Sequence, residues 1–164
     1  MTIYEDLLTN YEAKLIAGGA AQNSARGAAY ILPPNSVVYV GGVGDDKYAA
    51  ILKDAVRAVG LRVEYRVDKE VPTGRCGVVI TGHNRSMCTA LGAANHYDLE
   101  HLKKPEIWSL AEGAEVFYIG GYHLTGKSLS LIPFLTLSIP SSEALVWMPG
   151  PKSFQASPES KGQI

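Results

Sequence analysis

An α/β fold is what the sequence predicts, on three observations. Val37 to Val40 is a continuous apolar run, the pattern of a strand covered on both faces. Shortly after it, Tyr48, Ile51, Leu52, Ala55, Val56 and Val59 recur at the spacing of one helix face. Leu61 to Val67 then alternates apolar and polar residues, as a half-buried strand does. Strands and helices thus alternate along the chain instead of segregating.

The other elements follow in order. Residues 4–13 read as a short amphipathic helix with Leu7, Leu8 and Tyr11 on one side. Lys14 to Ala17 lead into Gly18-Gly19, where two residues without a Cβ permit a tight turn and close approach of another molecule. The alanine-rich run that follows is expected to be helical. Its first turn offers unpaired N–H groups and a positive dipole end, which suit a hydroxyl or an anion. Asn23, four residues after Gly19, projects from the same end. A tight loop before a small-residue helix packed on a sheet accounts for the same residues. Pro33-Pro34-Asn35 stop the helix, because proline lacks an N–H and restricts its predecessor.

Gly41 to Asp46 reads as a second glycine loop. A G-x-G-x-x-G fingerprint starting at Gly42 fails where Lys47 stands. Asp46 is expected to cap the helix over 46–60, and Gly60 to end it. Arg75 to Thr81 and Arg85 to Leu91 are two strand-like runs around Gly82-His83-Asn84, which reads as a hairpin turn. Asp98 to Lys104 and Glu106 to Gly113 are short helical pieces split by Pro105, with Trp108 expected as a core anchor. Val116 to Ile119 is expected to be a buried strand running into Gly120-Gly121. Residues 126–164 are rich in Ser and Pro, lack helical periodicity and are expected to be a divergent, disordered tail.

Composition narrows the function. The 164 residues suffice for one domain, able to bury about 70% of its unfolded surface. A net charge of −1 with no basic tract argues against a nucleic-acid partner. The longest apolar run, Leu129 to Leu137, is too short to span a bilayer and contains Pro133, so no membrane association is expected. Two cysteines, Cys76 and Cys88, make no disulfide framework, and the opening residues are not expected to be a signal peptide. A cytoplasmic chain, also compatible with the nucleus, is expected. The four histidines show no metal spacing and no C-x-x-C occurs, so no protein-held metal is expected.

Several separated motifs then carry a specific resemblance. Ala17-Gly18-Gly19-x-x-Gln22-Asn23, Val40 to Tyr48, Pro72-Thr73-Gly74-x-Cys76, Thr81 to Met87, Ala93-Ala94-Asn95 and Tyr118 to Thr125 stand in the order found in the ribokinase-like (PfkB-type) carbohydrate kinases. The chain most resembles the branch that phosphorylates adenosine, particularly its fungal enzymes, over about residues 3–125. The resemblance implies an incomplete three-layer α/β/α domain over 1–125, with a small β-sheet lid drawn from strands within about 61–91.

It also implies transfer of the γ-phosphoryl group of ATP to the 5′-hydroxyl of adenosine, with Mg²⁺, by a monomer. Gly18, Gly19 and Asn23 would hold the ribose hydroxyls, and Tyr122 would stack on the base. Arg85 would approach the transferring phosphate, and Cys76, Met87 and Thr89 would face the nucleoside from the lid. Taken alone, Arg85 is an exposed hairpin arginine, the three lid residues are sheet packing and Tyr122 covers a core. Gly42-Val43-Gly44-Asp45 imitates the family's catalytic Gly-Ala-Gly-Asp, but it matches the early Val-Gly-x-x-Gly-x-Asp element, so Asp45 is not assigned as a base.

The resemblance further implies that the general base, its anion hole and most of the ATP site lie in a C-terminal half outside this sequence. A strand carrying a ribose-binding aspartate would lie upstream. The chain is therefore expected to be a partial kinase domain, inactive alone, with apolar sheet edges exposed. Two readings compete: a non-catalytic nucleoside-binding or unstable truncated product, and a P-loop NTPase. The latter rests on Gly121-x-x-x-x-Gly126-Lys127-Ser128, but Pro133 and Pro140 interrupt the helix such a loop needs. The tail also supplies no aspartate to help hold Mg²⁺. The abrupt change after Thr125, at codons able to spell a common intron start, is read as translated intron; sequencing the spliced transcript tests this.

Overall fold

Thr2 opens the first helix by a reciprocal cap. Its hydroxyl accepts from the Glu5 N–H, and the Glu5 carboxylate accepts from the Thr2 N–H at 2.7 Å. The structure is a computed structural model and describes residues 2–120 and the backbone of 144–148. In chain order it holds α1 (Ile3–Asn10), α2 (Ala20–Ile31), β1 (Val38–Gly44), α3 (Lys47–Arg57), β2 (Arg62–Asp68), β3 (Arg75–Thr81), β4 (Asn84–Ala90), a 3-10 turn (Gly92–His96), α4 (Leu99–Leu102), α5 (Pro105–Glu112), β5 (Val116–Gly120) and β6 (Ala144–Met148).

The described strands make three two-stranded sheets. β1 and β2 pair in parallel from Val38 opposite Arg62 to Gly44 opposite Asp68, with α3 as the crossover packed on both. β3 and β4 pair antiparallel as a hairpin closed by Gly82 and His83. β5 and β6 pair in parallel from Val116 opposite Ala144 to Gly120 opposite Met148. Helix α2 packs against β5 and β1, joining the first and third sheets.

The core lies around the first sheet. Val43, Val56, Leu61 and Ala93 are buried there, and Tyr97, Leu102 and Ile107 form a neighbouring cluster that Val40, Leu99 and Trp108 flank. Burying each large apolar side chain contributes roughly 1.5–3 kcal/mol. At the far end of β2, Arg66 donates to Asp68 at 3.1 Å and to Asp98 at 2.8 Å, tying the strand to the start of α4.

Several expectations change. β1 does not stop at Val40: Gly41 to Gly44 are strand, held by pairing with β2 through Asp68, so the second glycine loop is the end of a strand. β2, expected in one small sheet with the next two strands, pairs instead with β1 in the parallel sheet, and β3 and β4 pair with each other. Helix α3 ends at Arg57 and turns through Gly60, whose φ is 66°. Trp108 flanks the core instead of anchoring it, and its Nε1–H donates to Glu112 at 2.8 Å. β5 is only partly buried: Ile119 is covered, while Val116 is 60% exposed. β6 lies in the segment expected to lack regular structure.

Candidate functional site

The candidate residues fall into two groups, each placed by a different local device. The first is the start of α2. Gly19 stands at its N-cap with φ 99° and ψ 122°, a conformation that side chains resist, and no side chain caps the helix. A Cβ on Gly18 would meet only the Ile16 carbonyl, at 4.0 Å, so the backbone there is open to approach. The Asn23 N–H donates to the Gly19 carbonyl at 2.8 Å, closing the first turn, and its side chain is exposed at that end.

Two neighbours hold this turn in place. Gln22 is buried, and its Oε1 accepts from the Tyr65 hydroxyl of β2 at 2.5 Å. Burial pushes the Tyr65 hydroxyl well above its usual range, so it stays a donor at any ordinary pH. On the other side, Gly120 at the end of β5 lies so close that a Cβ there would sit 3.3 Å from the Ala21 Cβ. The Ser24 hydroxyl lies 3.3 Å from that of Tyr118. The end of β5 therefore abuts the open helix start. The sequence pattern placed Gln22 in a motif but gave it no partner, and did not single out Tyr65, because their pairing spans 43 positions.

The second group is the hairpin. Residues directly opposite in an antiparallel pair share a face, and so do residues two apart on one strand. Cys76 is opposite Thr89, Val78 opposite Met87 and Ile80 opposite Arg85. Hence all four hairpin candidates, Cys76, Arg85, Met87 and Thr89, share one face with Val78 and Ile80. That face is exposed: Met87 is 63% and Ile80 74% accessible. The Thr89 hydroxyl donates to the Cys76 sulfur at 3.2 Å. Cys76, Arg85, Met87 and Thr89 are all exposed.

The opposite hairpin face meets α1 around Gly77 and Cys88, while Val79 farther out is 47% exposed. The Tyr4 hydroxyl donates to the Cys88 carbonyl at 3.3 Å, and Leu7 lies against Gly77. One face carries a helix and the other stands open and largely apolar, with one guanidinium at its tip.

Asp46 does what its position suggests. Its Oδ1 accepts from the Tyr48 and Ala49 N–H groups, each at 3.0 Å, capping α3. Tyr122 and the Gly121–Ser128 motif lie outside the described residues. Among the described residues no group of three His, Cys, Asp or Glu side chains is placed to hold a metal ion. No described helix is long and apolar enough to cross a membrane.

Comparison with known proteins gives this geometry a setting. The model of the pfkB family of carbohydrate kinases matches residues 3–142. The chain is 51% identical over 125 residues to adenosine kinase of Saccharomyces cerevisiae, an alignment covering 76% of this chain and 36% of that protein. Among solved structures, Anopheles gambiae adenosine kinase in complex with P1,P4-di(adenosine-5) tetraphosphate superposes with a TM-score of 0.82 at 35% identity, covering 88% of this chain and 44% of the other. Schistosoma mansoni adenosine kinase in complex with adenosine gives 0.78 at 30%, covering 88% and 42%. The chain thus spans less than half the length of each of these three relatives.

Proposed function

Because this chain belongs to the pfkB family of carbohydrate kinases, we propose that it supplies the adenosine-binding part of an ATP-dependent phosphotransferase that makes AMP and ADP. The observation that carries this reading is the uncapped start of α2, opening at Gly19 beside the end of β5. Unpaired N–H donors, an accessible glycine backbone and the Asn23 amide together suit the adjacent hydroxyls of a ribose. The relatives' adenosine kinase activity supports the choice of nucleoside.

In this reading Gly18, Gly19 and Asn23 hold the ribose, and Tyr122, two residues past Gly120, faces the base. The open face of β3–β4 closes over the nucleoside with Cys76, Met87 and Thr89 against it. A closed hairpin excludes water, so that the phosphoryl group reaches the 5′-hydroxyl and not solvent. Arg85 brings a permanent positive charge toward the transferring group. Mg²⁺ would arrive on the ATP phosphates, where it shields their charge. No residue among the 164 is assigned as general base.

Calorimetric titration of the purified chain with adenosine tests the reading. Binding is expected, weakened at least about tenfold in Asn23→Ala through loss of a hydrogen bond to a buried hydroxyl. The thermal midpoint should hardly change, because the Asn23 side chain is exposed. A folded chain that binds no adenosine, or an Asn23→Ala variant that binds it as tightly as the parent, would refute the assignment.

A further inference from the structure

The β3–β4 hairpin leaves and rejoins the molecule through a narrow neck. The entering strand passes 72–74 and the leaving strand 91–93, and the Ala93 N–H donates to the Pro72 carbonyl at 2.9 Å, fastening one to the other. At the centre of the neck is Thr73, 3% exposed. Its N–H donates to Asp46 Oδ2 at 2.8 Å, and its hydroxyl donates to Asp46 Oδ1 at 2.7 Å. The same hydroxyl oxygen accepts from the Gly44 N–H at 2.9 Å. One side chain thus meets the end of β1 and the cap of α3 at once.

The surroundings are shaped for this contact. A Cβ on Gly44 would lie 2.6 Å from the Thr73 nitrogen, and one on Gly42 would lie 2.6 Å from the Ala93 carbonyl oxygen. The glycines at the end of β1 therefore let both passages of the neck lie directly on the strand. Next in sequence, the Arg75 guanidinium lies 4.8 Å over the Tyr4 ring and 5.3 Å over the Tyr48 ring. Beyond the neck, β3 and β4 pair with each other and β3 packs on α1. The hairpin's orientation consequently depends on how the neck is held.

We infer that Thr73 is a positioning residue: through Asp46 and Gly44 it sets the angle at which the open hairpin face stands over the nucleoside, which it does not itself touch. This rests on the reading above only for what lies beneath the hairpin. Asp46 then has two tasks, capping α3 and holding the neck, so the helix start and the hairpin root move together.

The test uses the full chain with Thr73→Val, which keeps the shape and removes the hydroxyl, and Thr73→Ser, which restores it. Amide hydrogen exchange is measured along the chain, followed by adenosine titration. In Thr73→Val the amides of β3 and β4 should exchange about tenfold faster while those of β2 and of β1, apart from Gly44, keep their protection. Adenosine binding should weaken by about the same factor, and Thr73→Ser should return both to within about twofold of the parent. Faster exchange spread evenly over β1, β2 and α3, or unchanged exchange in the hairpin, would overturn the inference. Thr73→Ala replaces the valine variant if the latter does not fold; unfolding of both would show a global role and overturn it equally. If exchange changes as stated but the parent chain binds no adenosine, the latch stands and the nucleoside reading falls.

Discussion

Two stretches of this chain look alike on paper, each a pair of glycines running into a helix, and they are used in opposite ways. At Gly18-Gly19 the glycine itself is the N-cap of α2, no side chain fills the helix start, and the space around Gly18 is open. At Gly41 to Gly44 the glycines belong to β1, and the next helix start is occupied by Asp46, which accepts from Tyr48, Ala49 and Thr73. The first junction uses missing side chains for access, the second for close packing of backbone on backbone. What separates them is the residue at the N-cap. An acid satisfies its own helix, whereas a glycine leaves the donors to something else.

That contrast can be broken by adding one methyl group at each site. Gly44→Ala has the largest expected effect: its Cβ would lie 2.6 Å from the Thr73 nitrogen and 2.7 Å from the Val71 carbonyl oxygen, both backbone atoms that cannot rotate away. Overpacking against fixed backbone should lower stability by about 3 kcal/mol or more, measured by urea unfolding. Gly19→Ala has room, since its nearest neighbour is the Gln22 Cβ at 3.7 Å, but must adopt φ 99°. The strain should cost about 1–2 kcal/mol, with adenosine binding lost alongside. If Gly19→Ala proved as damaging as Gly44→Ala, the start of α2 would be a packed junction and no longer a candidate for ligand access.

The same contrast shows what could be read from sequence and what could not. The spacing from Tyr48 to Val56 marked α3, and an acid before it marked the cap, because both signals are local. The hairpin was legible from two strand-like runs around Gly82-His83 for the same reason. Alternation from Leu61 to Val67 correctly indicated a strand but carries no information about its partner, so its place beside β1 was missed. Gly41 to Gly44 resemble a loop because glycine is a poor strand former, and only the register with β2 reveals otherwise. The links that hold the candidate site, Gln22 to Tyr65 and Thr73 to Asp46, join positions 43 and 27 apart, a separation at which no periodicity operates. In the segment after residue 120, Ala144 to Met148 was an apolar run overlooked among Ser and Pro.

A smaller effect would sharpen the contrast, and it depends on pH. Burial alone would raise the Asp46 pKa, but hydrogen bonds from the Thr73 N–H and hydroxyl and from the Ala49 and Tyr48 N–H groups outweigh it, leaving the carboxyl below its usual range. A group whose folded pKa is depressed contributes stability that is full above its unfolded value of about 4 and is lost as pH falls through the folded pKa. Asp68, also held low, chiefly by the Glu70 and Val71 N–H groups, adds to the same acid-side loss. The contribution of Asp46 must therefore be read as a difference between proteins. Asp46→Asn should cost roughly 1 kcal/mol near pH 7, where the lost charge weakens both cap and latch. That gap from the parent should begin to narrow as pH falls below about 5 and keep narrowing until the folded carboxyl, held below its usual range, takes up its proton. Gly19→Ala should instead run parallel to the parent across this range, because the start of α2 is capped by no titrating side chain. Thermal midpoints at half-unit steps of pH measure both. A gap that did not narrow at all as pH fell below about 4 for Asp46→Asn would mean that the geometry of the cap, and not its charge, distinguishes the two helix starts.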